Sequence, residues 1–427
     1  MLDIKYIREN PDKVKEALKN KNSKVNIDEF LEMDIERRKL LVEVEKLKST
    51  RNIESDGIAA LKKQGEDASA KLNKMKLVSQ KIKEIDSIVG EINKKIINKA
   101  MLIPNIPHSS VPVGPDAQSN KVVKEWGKLP NFKFNPLNHI EIGEKLGIMD
   151  FPTATKLSGS GFSLFMGDGA MMVRALLNFM IDLHVNKHGY KEVWPPVLTS
   201  RRSMTTTGQL PKFEEDMYKL KDDDLYLIPT AEVPVTNIHA DDILDEEALP
   251  IYYTAYTPCF RREAGSYGKD TKGLSRVHQF DKVEMVKFVK PENSYDELET
   301  LLANAEEVLQ LLKLPYRVQL LSTGDISFAA SKCYDIELWA AGSNAWLEVS
   351  SCSNFEAFQA RRGNIKFKSK DTGKLSFVHT LNGSGVAFAR LIIAIVENYQ
   401  TEDGSVEIPK VLQSYMGNKK IIKAASK

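Results

Sequence analysis

The chain has 427 residues, of which 42% are hydrophobic and 28% charged, with 60 Lys and Arg against 58 Asp and Glu. These proportions exclude wholesale disorder, a collagen-like chain and a multi-span membrane protein, and the length allows two or three domains. The near-zero charge balance says nothing about nucleic acid, so charge is informative only locally.

The start, MLDIKYIREN, is charged and lacks an apolar h-region, and no apolar run is long enough to span a bilayer. A cytoplasmic protein with no membrane segment is therefore expected. Around NPDKVKEALKN the pattern is helical. No proline lies between Pro11 and Pro104, and no aromatic residue between Phe30 and Trp126. A long stretch without either, rich in Lys, Glu, Leu and Ile, reads as extended helix rather than as an ordinary core. Phe30, Met33, Leu40, Val44 and Leu47 fall on alternating three- and four-residue steps, with Arg37 interrupting. Met75, Val78, Ile82, Ile85, Val89, Ile92 and Ile96 do the same unbroken. Such a seam predicts two long helices in an antiparallel coiled-coil hairpin. The segment SDGIAALKKQGED, with Gly57 and Gly65, is the expected turn. The second helix carries Lys71, Lys74, Lys76, Lys81, Lys83, Lys94, Lys95 and Lys99 against Glu84, Asp86 and Glu91. Charge alone divides evenly between a solvated face and a grip on a phosphate backbone.

PNIPHSSVPVGPD reads as a proline-rich linker that cannot continue a helix. It places a domain boundary at residues 103 and 104. Beyond it the pattern is mixed α and β, with helices expected in ALLNFMIDLHVNKHG, YDELETLLANAEEVLQLLKL and VAFARLIIAIVENYQ. Cys259, Cys333 and Cys352 are odd in number and scattered, so no disulfide framework is expected, and no ligand spacing supports zinc.

Residues 256–289, YTPCFRREAGSYGKDTKGLSRVHQFDKVEMVKFV, read as a long antiparallel hairpin. Alternation puts Arg261 and Glu263 on one face of the first strand, Phe260 and Arg262 on the other. It puts Phe280, Lys282, Glu284 and Val286 on one face of the second. The loop from Gly265 to Gly273 is glycine-rich and basic, with Lys269 and Lys272. Such charges bind a zwitterion or a phosphate, although spacing alone favours a cross-strand salt bridge. LNGSGVAFAR passes from Asn382, Gly383, Ser384 and Gly385 into an apolar helix bearing Arg390, which needs an anionic partner if buried. LYLIPTAEVPVTN sets Thr230 and Glu232 between prolines, at a turn. WLEVSSCSNFEAFQARR sets Glu348, Ser350 and Ser351 at a strand end, suited to a hydrated Mg²⁺ or to a turn.

Together these segments resemble the seryl-tRNA synthetases of bacterial type, within the class II aminoacyl-tRNA synthetases. FRREAGSYGKDTKGLSRVHQFDKVEMV is similar to that family's motif 2, LNGSGVAFAR to motif 3, and HGYKEVWPPVL, with Pro195 and Pro196, to motif 1. TAEVPVTN and EVSSCSNFEAFQARR are further family signatures, and the likeness spans the whole chain. It implies an α+β fold: an N-terminal tRNA-binding helical hairpin over residues 1–103, then a class II catalytic domain over 104–427, an antiparallel β-sheet flanked by helices. It also implies a homodimer built through motif 1.

The implied reaction makes seryl-adenylate from L-serine and ATP, then passes serine to the 3′ end of tRNA(Ser), with tRNA(Sec) a further substrate that the family admits. By the same likeness, Thr230, Ala231, Glu232, Arg261, Glu284, Asn382 and Ser384 line the serine pocket. Arg261 holds the α-phosphate, Arg262 and Glu263 lie at the nucleotide with Glu263 helping to place adenine, and Arg390 meets the γ-phosphate. Glu348 and Ser351 bind Mg²⁺, with Val349 and Ser350 beside the nucleotide. Arg261, Glu284 and Arg390 are the residues expected to carry the chemistry, with no nucleophilic Cys or His. Cys259 and Cys352 are read as packing residues. Arg262, Tyr267, Trp346 and Leu347 depart from the family's usual residues. A paralogue that binds RNA or regulates without charging tRNA, and a ligase acting on a carrier protein, are the competing readings. Intact Arg261, Glu284, Glu348, Ser384 and Arg390 oppose the first, and the basic arm opposes the second.

Overall fold

A computed structural model describes residues 1–264 and 272–423. The chain forms two compact units: Leu2–Lys19 with Ser23–Pro104, and Asn105–Lys427 with Asn20–Asn22 and Met1.

The first unit is helical. Two short helices, α1 (Ile4–Glu9) and α2 (Pro11–Asn20), precede two long ones, α3 (Asp28–Lys63) and α4 (Ser69–Ala100). At 1.5 Å per residue the long helices run about 50 Å. Their seam buries Val44 against Ile85 and Val89, and Ile58 against Met75. Where Arg37 interrupts it, the guanidinium bonds Asn93 at 3.1 Å and Asp34 at 2.5 Å, and Arg8 reaches the same buried carboxylate at 3.2 Å. A polar layer of this kind specifies register, because slipping the helices strands buried charge. The turn falls later than the sequence suggests. Helix α3 runs through Gly57 to Lys63, and only Gly65, at φ +74°, lies in the turn. Packing of Ile58 and Leu61 outweighs the roughly 1 kcal/mol that a helical glycine costs.

The second unit is built on an eight-stranded sheet. In chain order its strands are β1 (Lys121–Trp126), β2 (Lys191–Glu192), β3 (Ile251–Phe260), β4 (Gln279–Val289), β5 (Tyr316–Leu320), β6 (Lys332–Ala340), β7 (Ala345–Asn354) and β8 (His379–Ala387). Their order across the sheet is β1-β5-β6-β7-β8-β4-β3-β2. Every pairing is antiparallel except at the edge, where β2 runs parallel to β3. The three helices read from the sequence are α5 (Asp168–Asn186), α6 (Ser294–Leu311) and α7 (Phe388–Asn398). They supply Leu176, Leu301 and Ile392 to the main core, which takes Val283 and Met285 from β4. Alternation along β4 turns Lys282, Glu284, Val286 and Phe288 to the other face. There Val286 and Phe288 pack with Ala231, Ile365 and Phe367, and the rest of that face is left to the site.

The proline-rich segment after residue 103 is not a loose tether. Buried Asn105 donates to the carbonyls of Ala329 and Phe355 at 2.9 and 2.8 Å, and the His108 amide to Ser331 at 2.9 Å. Side-chain and backbone bonds replace the ladder that proline cannot join.

Candidate active site

A cavity of about 290 Å³ opens on the sheet face turned away from α5 and α6. Strands β4, β7 and β8 floor it, and the start of α7, the segment 207–232, and Arg261, Glu263 and residues 274–277 beyond the strand ends wall it. Two irregularities aim its side chains. The register of β7 against β6 shifts between Glu348 and Ser350, and that of β8 against β4 between Ser384 and Ala387. Bulges of this kind re-aim side chains that strict alternation would turn away. The Ser350 hydroxyl ties the two places together by donating to the Ser384 carbonyl at 2.6 Å. Beside the second bulge a Cβ on Gly385 would meet His184 at 2.4 Å, so the close approach requires glycine. The His184 ring lies 3.1 Å from the Gly385 carbonyl.

Glu284 is the hub of the floor. Its carboxylate accepts from the Thr230 hydroxyl and the Asn382 amide, each at 3.0 Å, and pairs with the Lys282 ammonium, which also donates to Thr230 at 2.8 Å. Glu232 is buried in the first turn of a short helix, Glu232–Thr236, rather than in an open turn. The Gln359 amide donates to it at 2.6 Å, and the Thr380 hydroxyl holds Gln359 at 2.7 Å. Burial, then the charge of Glu284, pushes the Glu232 carboxyl up to about 7. Ala231 is fully buried under this corner.

The other end of the cavity is cationic. The strand ends at Phe260, and Glu263 takes a left-handed φ of +50°, so simple alternation stops there. Arg261 and Glu263 nevertheless both line the cavity. The Arg261 guanidinium stands 5.2 Å over the Phe280 ring. Arg262 points elsewhere, to the Glu215 carbonyl at 3.3 Å. Arg276 lines the cavity and bonds Glu263 at 3.0 Å. His278 holds the Arg261 carbonyl at 3.0 Å through Nδ1.

Arg390 is not buried in an apolar helix. It stands in the first turn of α7, partly exposed, donating to the Glu348 carbonyl at 2.7 Å and approaching its carboxylate at 3.4 Å. Its Nε reaches the Ser275 carbonyl at 3.3 Å. Glu348, Val349, Ser350 and Ser351 all line the cavity. The Ser351 hydroxyl touches the Cys333 thiol at 3.1 Å. Opposite Ser351 in the ladder, burial and the charge of Glu348 push the Asp335 carboxyl well up. An acidic pair that repels itself beside a hydroxyl suits a hard divalent cation. All three cysteines are buried, and burial pushes their thiols up, away from nucleophilic use.

Every residue singled out from the sequence as a serine or nucleotide contact lines this cavity except Ala231, beneath it, Arg262, outside it, and Glu284, whose carboxylate anchors its floor. Lys269 and Tyr267 lie outside the described residues. Lys282, Arg276, Gln359 and Thr380 were not read as site residues. Lys282 carried a signal, being two residues before Glu284 on a strand. Gln359 and Thr380 carried none, since only the fold brings them to Glu232.

Comparison with known proteins gives the following. Residues 1–107 match the model of the seryl-tRNA synthetase N-terminal domain, and residues 213–399 that of the tRNA synthetase class II core domain (G, H, P, S and T). The chain is 56% identical to the serine–tRNA ligase of Carboxydothermus hydrogenoformans, over 99% of this chain and 100% of that one. It superposes on the seryl-tRNA synthetase of Pyrococcus horikoshii complexed with ATP with a TM-score of 0.95, at 40% identity and 100% coverage of both. The cytoplasmic serine–tRNA ligase of Naegleria fowleri in complex with AMP gives 0.89 at 32% identity, over 100% of this chain and 99% of that one.

Proposed function

This chain belongs to the seryl-tRNA synthetase family, and from that premise we propose that it activates L-serine with ATP and charges tRNA(Ser). The observation that carries the reading is the division of one cavity. Two carboxylates, Glu232 and Glu284, close one end, and Arg261, Arg276 and Arg390 line the other. An amino acid presents an ammonium and a carboxylate, and ATP a chain of phosphates. The two ends match them in that order.

In this reading Glu232, Glu284 and Thr230 take the serine ammonium, and Ser384 and Asn382 bound the side-chain hydroxyl. A serine carboxylate oxygen then attacks the α-phosphorus while the bond to the β-phosphate breaks and pyrophosphate leaves. No proton transfer is needed, so positioning and charge neutralisation supply the rate. Arg261 neutralises the α-phosphate and supports the attacking carboxylate. Arg390 exchanges Glu348 for the γ-phosphate, and Glu263 with Arg276 borders the adenine. Glu348 and Ser351 would hold Mg²⁺, which when bound neutralises triphosphate charge. In the second step a terminal tRNA hydroxyl attacks the seryl carbonyl and AMP departs.

We assign tRNA binding to residues 1–103. Lys74, Lys76, Lys83 and Lys95 are exposed and make no ion pair among the described residues, whereas Lys71, Lys81, Lys94 and Lys99 are paired with glutamates. The unpaired four are the natural phosphate contacts. The catalytic unit pairs as a homodimer through 188–198, where Trp194 is 72% exposed.

The test is amino-acid-dependent ATP–pyrophosphate exchange without tRNA. Serine alone, among serine, threonine, alanine, cysteine and glycine, supports exchange if the reading holds. Absence of exchange with every amino acid, from folded protein with Mg²⁺, overturns it.

A further inference from the structure

The floor of the cavity contains a cation that the reaction does not call for. Lys282 is 5% exposed, and its ammonium is paired with Glu284 and donates to the Thr230 hydroxyl at 2.8 Å. It therefore stands on two of the three groups that the serine reading assigns to the substrate's ammonium. Burying a lysine is costly, and burying it where a cationic ligand must bind costs affinity as well.

Charge counting gives it a purpose. The groups that face this corner come from five elements. The short helix gives Glu232; β4 gives Lys282 and Glu284. From β3 and its end come Cys259, whose thiol burial keeps neutral, and Arg261, turned to the Pro229 carbonyl and the Phe280 ring. Strand β8 gives Asn382 and Ser384, and the segment after β7 gives Gln359, all neutral. Two carboxylates with no lysine would present a double negative charge to a singly charged ammonium. With Lys282 fixed on Glu284, one negative charge remains.

We propose that Lys282 is a positioning residue of the amino-acid pocket: it locks Glu284 and Thr230 in place and leaves a single negative charge, on Glu232, for one incoming ammonium. This rests on the serine reading above and adds to it. In the empty pocket Glu232 shares its corner with Glu284 and holds its proton up to about pH 7. The substrate's ammonium drives that proton off to solvent, so binding is coupled to proton release. Below pH 7 the ligand must first displace the proton, and its apparent affinity falls up to tenfold per pH unit.

The experiment uses the full chain and serine-dependent exchange from pH 6 to 9. In the wild type the serine KM rises as pH falls through about 7 while the ATP KM stays flat. Calorimetry of serine binding at pH 6.5, in two buffers of different ionisation enthalpy, shows up to one proton released. In K282M the pH midpoint of the serine KM moves up by about one unit, because Glu232 loses a neighbouring cation, and the KM at pH 7.5 rises about threefold from that shift. K282R keeps the charge and restores the midpoint. A lysine that only packed would leave the midpoint in place in K282M, and that result overturns the proposal. So does a wild-type serine KM independent of pH with no proton released, a result that stands even if K282M fails to fold. Failure of the wild type to exchange with serine at all is a different outcome, and it removes the serine reading itself.

Discussion

Arg390 stands on Glu348 in this structure, and that pair decides what its loss should do. Removing it frees a carboxylate that the triphosphate must approach, so R390A loses one cation and exposes an anion. We expect the ATP KM to rise at least tenfold while the serine KM moves less than threefold, measured by exchange kinetics at saturating partner substrate. His184 makes the opposite kind of prediction, on stability. Burial lowers its imidazole to about 4, so it stays neutral beside the Gly385 carbonyl. The unfolded ring protonates near 6.5. The folded state binds fewer protons between those values, so stability is lost as pH falls from about 6.5 to about 4. The single-site limit is about 3 kcal/mol. Urea unfolding at pH 7 and pH 4.5 should show a smaller acid loss in H184Q than in wild type. Equal losses would show that His184 is not the responsible group.

At the scale of elements, the hairpin separates a local rule from a packed outcome. Gly57 was expected in the turn because glycine weakens helix, yet α3 passes through it. A Cβ there would meet only the Lys71 Nζ, at 3.7 Å. G57A should therefore stabilise the helical unit by about 0.5–1 kcal/mol, read from its denaturant midpoint. The basic face of α4 is also less uniform than its sequence suggests. Cross-hairpin glutamates already pair Lys71, Lys81 and Lys99. Replacing Lys74, Lys76, Lys83 and Lys95 by alanine should weaken tRNA binding and reduce the slope of log affinity against log salt by about 3. Serine-dependent exchange should not change. A loss of exchange in that variant would break the assignment of tRNA binding to the arm.

For the whole molecule, the test is one of assembly and division of labour. Leu157, Trp194 and Leu198 are exposed apolar side chains of the catalytic unit. Sedimentation equilibrium should give twice the 48.0 kDa chain mass, and W194E should shift it to the single chain. Deleting the hairpin should spare adenylate formation and abolish tRNA charging; equal loss of both would end that division.

Periodicity made the two long helices legible, because a seam of apolar residues at 3.5 spacing has few other ways to be buried. Alternation along β4 likewise placed Lys282 and Glu284 on one face from sequence alone, and the motifs named the family. What alternation could not supply is what happens where strands stop alternating. The shifts at Glu348–Ser350 and Ser384–Ala387, and the left-handed Glu263, are set by neighbouring strands rather than by local preference. Gln359, which holds the Glu232 carboxylate, lies 127 positions away, and Glu284 comes from strand β4, so the raised carboxyl has no local signature. Local spacing thus determined the elements and the kinds of charge they carry. Only the tertiary structure decided which charges share a low-dielectric corner, because that depends on distances through space that chain separation does not encode.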